Sequence, residues 1–212
     1  MKVDILAFGA HPDDVELGCG GSICSAISQG FKVGIVDLTY GELGTRGTPE
    51  IRKKESDKAS EILGVSFRKN LGFKDGFFVN DKEHQLKVVE VLREHRPSIV
   101  LCNAIKDRHI DHPKGSKLVS DASFLSGLSK IKTNYNNSTN QPPWIPKQVY
   151  HYIQWYDIEP NLVIDISDFQ EKKMRAIMAY ESQFYNPKSI EPNTPISSKY
   201  FLESIKQRDQ NF

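Results

Sequence analysis

The sequence predicts an α/β fold with a mainly parallel sheet and helices on both faces. Three observations predict it. Short apolar runs alternate with helix-length amphipathic segments through the first hundred residues. Ile99–Cys102 is apolar at every position, as a strand buried on both faces must be. Polar clusters stand shortly after strand-like runs, where open α/β sheets bind ligands. Strand–helix–strand spacing of this kind implies right-handed crossovers and therefore parallel pairing.

Each element carries its own signal. Val3–Phe8 reads as the first strand, followed by a helix from about Val15 to Gln29 that Gly30 closes. Lys32–Leu38 is the second strand. Glu50–Leu63 is a charged helix ended by Gly64, and a short strand follows near Val65–Leu71. Helix signal resumes over Asp81–His95, with Leu86, Val89 and Leu92 on one stripe, and Arg96-Pro97 stops it. Ile99–Cys102 is the next strand. Lys130–Lys147 is polar and proline-rich, hence a loop. Val149–Trp155 and Leu162–Ile166 read as later strands. Ser167-x-x-Gln170 reads as a capping box opening a helix through about Gln183. With no repeat or low-complexity break, residues 1–212 are expected to form a single Rossmann-like domain.

Composition excludes several function classes. The 28 Lys+Arg against 27 Asp+Glu leave a net charge of +1, which argues against a general nucleic-acid binder. No apolar run approaches the ~18 residues a membrane span needs. The N-terminus lacks the apolar stretch and cleavage site of a signal peptide. Cys19, Cys24 and Cys102 are too few and scattered for a disulfide framework, so a reducing, cytoplasmic setting is expected. The sequons at Asn136 and Asn137 carry no meaning in a chain that is not secreted.

Two clusters carry the chemistry. Ala10-His11-Pro12-Asp13-Asp14 follows the first strand, and Arg108-His109-Ile110-Asp111-His112 follows the strand ending at Cys102. Either alone could be a helix start. Both after strands of one sheet point to a shared site. His11 and Asp14, three positions apart on a turn, can face one ion, and His112 can supply a third ligand. Two imidazoles and a carboxylate suit a catalytic zinc site with water in the open position, although Fe(II) and other divalent metals tolerate the same set. Such an ion lowers the pKa of its water to roughly 7. Asp13 can take the proton of that water. His109 is left as donor to the developing oxyanion or as general acid, and Asp111 could orient it. His84, His95 and His151 read as surface or core residues.

The stretch Gly9-Ala10-His11-Pro12-Asp13-Asp14-x-Glu16-x-Gly18-x-Gly20-Gly21 resembles the signature of the LmbE/PIG-L zinc deacetylases, which remove acetyl groups from N-acetylglucosamine conjugates. Arg108-His109-x-Asp111-His112 resembles that family's second motif, and Tyr180-x-Ser182-Gln183 is a weaker match. Gly41–Arg52 is similar to the bacillithiol-pathway branch, whose substrate is N-acetylglucosaminyl malate. The resemblance implies His11, Asp14 and His112 as zinc ligands, Asp13 as general base and His109 as the charged partner of the tetrahedral intermediate. It implies a trimer or hexamer and a small amino-sugar partner. Ile110 departs from the proline usual there. Relatives also continue past the position of Gln210-Asn211-Phe212 into an aromatic, glycine-containing tail.

Malate carries two carboxylates, so an arginine is the expected reader, and Arg46 and Arg52 flank the Gly-Thr-rich loop after the second strand. Arg108 can pair with substrate or with an acid. A dinucleotide site is disfavoured because the first turn lacks G-x-G-x-x-G and its two carboxylates would repel a pyrophosphate. A non-catalytic metal- or sugar-binding module would have no need of both Asp13 and His109.

Overall fold

The computed structural model describes residues 1–135 and 139–211, so the Asn136 and Asn137 sequons lie outside the described residues. The elements run β1 (Ile5–Gly9), α1 (Asp14–Ser28), β2 (Val33–Thr39), α2 (Pro49–Leu63), β3 (Phe67–Phe73), α3 (Lys82–His95), β4 (Ile99–Cys102) and α4 (Asp111–Leu125). They continue with β5 (Asn134–Tyr135), β6 (Thr139–Asn140), β7 (Gln148–His151), α5 (Gln170–Met178) and α6 (Lys199–Asn211). Among the described residues, five strands form one sheet in the order β3-β2-β1-β4-β7, every pair parallel. β1 pairs with β2 on one side (Ala7 opposite Ile35) and with β4 on the other (Ala7 opposite Leu101). Strand order therefore reverses at β1, which opens the crevice between the ends of β1 and β4.

Alternation along the strands divides the core. Leu6, Phe8, Val36, Leu38 and Val100 face α3 and α4 through Val88, Val89, Leu92, Leu118 and Val119. Ala7, Val33 and Ile35 face the opposite way, onto Val15 and Ile23 of α1, Ala59 and Leu63 of α2, and Ala176 and Ile177 of α5. Helices thus cover both faces.

Local chemistry sets the helix ends. Thr48 caps α2 by accepting the Ile51 N–H, Pro49 opens it, and Gly64 closes it at φ 83°. Asp81 caps α3 through the His84 N–H. α1 packs unusually close: a Cβ on Gly18 would lie 2.2 Å from the Tyr152 ring.

Several expectations need correction. Leu162–Ile166 forms no strand; it has no partner strand in the sheet, and Ile166 instead docks over Gly21 of α1, leaving Leu162, Val163 and Ile164 about half exposed. Ser167 forms no capping box. Its hydroxyl and N–H both bond Asp165 Oδ1, so α5 begins after a 3₁₀ turn and ends at Met178, short of Gln183. The strand expected over Val149–Trp155 stops at His151, where the chain turns toward the site. The loop after α4 holds the short β5–β6 antiparallel pair. No helix among the described residues is long and apolar enough to cross a membrane.

Candidate metal centre

The turn after β1 is pinned before it carries any chemistry. Ala10 N–H donates to Asn103 Oδ1 (2.9 Å) at the end of β4, and Thr39 at the end of β2 donates to the Ala10 carbonyl through both N–H (3.0 Å) and hydroxyl (2.9 Å). Asp13 then adopts φ 115°, a left-handed conformation uncommon outside glycine, and Asp14 starts α1.

Asp14 is the hub. Its Oδ2 accepts from the His11 N–H (2.9 Å) and Asn103 Nδ2 (3.0 Å), and its Oδ1 accepts from Gln154 Nε2 (2.9 Å). His11 Nδ1 lies 3.5 Å from Oδ2, and His112 Nε2 lies 3.1 Å from Oδ1. Burial alone would raise this carboxyl. The His112 and His11 imidazoles outweigh it and hold Asp14 well below the usual carboxylate range. His112 is in turn oriented by Asp107, whose Oδ1 is 2.9 Å from Nδ1. Burial would lower His112, but Asp14 and Asp107 push it up to about 9. Burial would also lower His11, and the carboxylates of Asp111, Asp14 and Asp75 hold it well above its ordinary value.

Asp13 and Arg52 form a buried pair, with Nη2 2.9 Å from Oδ2. The same guanidinium donates to the Pro12 and Gly41 carbonyls. A Cβ on Gly41 (φ 65°) would strike it. Burial pushes the Asp13 carboxyl up to about 7; Arg52 opposes that rise and Asp14 adds to it. Arg52 is thus packed inward although Lys53 and Lys54 beside it are solvated. Arg46 is also buried, donating to Ser189 Oγ with its Nε 3.5 Å from Glu191. Both arginines assigned to malate are engaged within the protein.

His109 completes the group. Its ring stands edge-on to His11 (4.5 Å between centroids) and stacks on His112 (5.1 Å). Its Nδ1 accepts the Asp111 N–H at 3.3 Å, which assigns the proton of the neutral ring to Nε2. Burial, then the charges of His11 and His112, lower its pKa. The Asp111 carboxylate does not orient His109 as expected. It lies 3.4 Å from His11 Nε2 and is taken up by the Gly76 N–H (2.6 Å) and Lys114 (3.2 Å), because α4 starts at Asp111 and points that side chain back across the turn.

The donor set fits a divalent ion. Nitrogen atoms of His11, His109 and His112 lie within 4.8 Å of one another, and the Asp14 carboxylate sits between two of them. Sequence reasoning missed Asn103, Asp107, Gln154 and Asp75. Asn103, directly after the apolar β4, was the one with a readable signal.

A family model described as "PIG-L: GlcNAc-PI de-N-acetylase" matches residues 6–123. The chain is 33% identical over 190 residues to the diacetylchitobiose deacetylase of Thermococcus kodakarensis, covering 85% of this chain and 70% of that protein. It is 24% identical to the probable N-acetyl-alpha-D-glucosaminyl L-malate deacetylase 2 of Bacillus subtilis, covering 97% and 96%. The crystal structure of the conserved protein TT1542 from Thermus thermophilus superposes with a TM-score of 0.85 at 37% identity, covering 97% of this chain and 86% of that one. With more than half of its length matched, this chain belongs to the PIG-L (GlcNAc-PI de-N-acetylase) family.

Proposed function

We propose that this chain is a zinc-dependent N-deacetylase that releases acetate from the N-acetylglucosamine unit of a small sugar conjugate. One observation carries the reading: a carboxyl tuned to about 7, Asp13, stands beside a convergent His11–Asp14–His112 donor set at the switch point of the sheet. His11, Asp14 and His112 would hold the ion. When bound, it supplies a Lewis acid for the amide carbonyl and lowers the pKa of water.

The remaining steps belong to this chain's residues. Asp13, held by Arg52, takes a proton from the attacking water as its oxygen bonds to the carbonyl carbon. The His109 Nε2–H donates a hydrogen bond to the developing oxyanion. When the C–N bond breaks, the proton held by Asp13 goes to the leaving nitrogen, giving acetate and a free amine.

Among conjugates, a diacetylchitobiose-type substrate is favoured. The deacetylase named for it is the more similar relative, and neither Arg46 nor Arg52 is free to read a malate carboxylate. N-acetylglucosaminyl L-malate is the second reading. It is favoured by Arg108, exposed at the mouth of the cavity with its guanidinium 4.5 Å from the Trp155 ring centroid. Acetate release measured as kcat/KM on both conjugates tests the proposal. Higher efficiency on chitobiose supports the first reading, higher efficiency on the malate conjugate the second, and no acetate from either overturns both.

A further inference from the structure

The Asp75–Gly76 turn after β3 belongs to neither chemical cluster, yet it touches a metal ligand. Asp75 Oδ1 is 3.1 Å from His11 Nε2, closer than Asp111 Oδ2 at 3.4 Å. The other Asp75 oxygen, Oδ2, accepts the Leu43 N–H at 3.0 Å. The Asp75 N–H donates to Glu42 Oε1 at 2.8 Å. Leu43 and Glu42 belong to the loop after β2, the one that carries Gly41, Arg46 and Gly47. On its other side the turn is fixed to α4: the Gly76 N–H donates to Asp111 (2.6 Å), and Lys114 donates to the Gly76 carbonyl (2.8 Å). Asp75 is 6% exposed and Asp111 is fully buried, so water does not substitute for either contact.

We propose that Asp75 is a positioning residue for His11, and that through it the loop after β2 tunes how tightly the ion is held. The inference rests on the metal-centre reading above. A carboxylate that accepts the Nε2–H of an imidazole fixes both its ring plane and its tautomer, leaving Nδ1 bare for an ion. Here Nδ1 is the nitrogen that faces Asp14. Asp111 backs the same Nε2 but is fastened to a helix. Asp75 spends one oxygen on His11 and the other on a loop backbone amide. A displacement of that loop therefore reaches the ligand ring through a single side chain. If Asp75 only capped its own turn, its bonds to Leu43 and Glu42 would suffice and the His11 contact would be incidental.

The test is zinc affinity of the full chain by competition with a chromophoric chelator, with the visible spectrum of the cobalt-substituted protein as a local readout. The variants are Asp75→Ala, Asp75→Asn and Glu42→Ala. Removing such an outer partner typically weakens metal binding by about 10–100-fold, which is the loss expected for Asp75→Ala, together with a shifted cobalt spectrum. Asp75→Asn should fall between wild type and Ala, because its single carbonyl can serve Leu43 or His11 but not both. It also provides the measurement if Asp75→Ala does not fold. Glu42→Ala should weaken zinc in the same direction but less, since it loosens the turn without touching His11. Unchanged affinity in both Asp75 variants overturns the proposal while leaving the metal centre intact. Unchanged affinity in Glu42→Ala alone overturns the loop coupling. A wild-type chain that binds no zinc overturns the metal-centre reading itself.

Discussion

Replacing Arg52 by Met removes the only cation paired with Asp13 among the described residues, while keeping much of the side-chain volume. Both partners are 5% exposed, so solvent screens the pair little. Breaking a buried ion pair from one side costs about 3–5 kcal/mol. At ~1.4 kcal/mol per pKa unit, even the lower figure corresponds to about two units of further rise in Asp13. Asp13 already sits at about 7, so the variant carboxyl is almost wholly protonated at neutral pH. The sign follows directly. A general base works only when ionised, so the rate climbs with pH through its pKa, and raising that pKa moves the climb to alkaline pH. At pH 7 the fraction of usable base falls from about one half to about one in a hundred, so kcat/KM drops roughly 50-fold, within the range a general base contributes. The assay is acetate release from pH 5.5 to 9.5 on diacetylchitobiose and on N-acetylglucosaminyl malate. Equal losses on both substrates, with the rising limb displaced upward, are expected. A loss confined to the malate conjugate would show that Arg52 reads substrate. An undisplaced limb would show that it does not control Asp13.

Three more outcomes are open to measurement. His11→Ala and His112→Ala should each lose stoichiometric zinc by elemental analysis, whereas Asp13→Ala should keep zinc and lose about 10²–10⁴-fold in acetate release. Gly18→Ala drives a Cβ to 2.2 Å from Tyr152, whose hydroxyl is tied to the Phe8 carbonyl. Overpacking of that kind costs about 1–3 kcal/mol, read as a lowered Tm. His95 is buried against Phe67, and burial lowers its pKa; its stability contribution is therefore present above the unfolded value of about 6.5 and lost as pH falls through the lowered folded value. The drop in urea midpoint between pH 7.5 and 5 should shrink in His95→Gln, and an unchanged drop would assign that pH dependence to other groups.

Much of this molecule was legible because its signals are contiguous. Thr48, Gly64 and Asp81 announce helix ends through their own backbone bonds, and the four-residue apolar run of β4 needs burial on both faces. His11, Asp13 and Asp14 share one turn; His109 and His112 share another. What stayed hidden is made by convergence. Gln154 lies 140 positions from the Asp14 it supports, and Asp75 lies 64 from His11. Arg52 reads as part of a basic surface run, because helix geometry turns one residue of three inward and composition does not say which. Leu162–Ile166 has a strand's residues, yet a strand needs a neighbour with free backbone groups, and the pattern carries no information about that. The Ser167 hydroxyl met an acid two residues earlier, and that local competitor decided the helix start.

The adjacency of β1 and β4 separates two things that proteins often entangle. The two ligand-bearing turns are held apart by one inter-strand spacing, about 4.8 Å, however many residues lie between them in the chain. The dimensions of the metal centre are therefore inherited from the backbone ladder rather than from any loop. The segments that shape the mouth, after β2 and after β7, can be lengthened or rewritten without altering the ladder that separates those two turns. A lineage built this way can change its substrate faster than its chemistry. Relatives named for a chitobiose and for a malate conjugate, both matching this one chain, are what such a division produces.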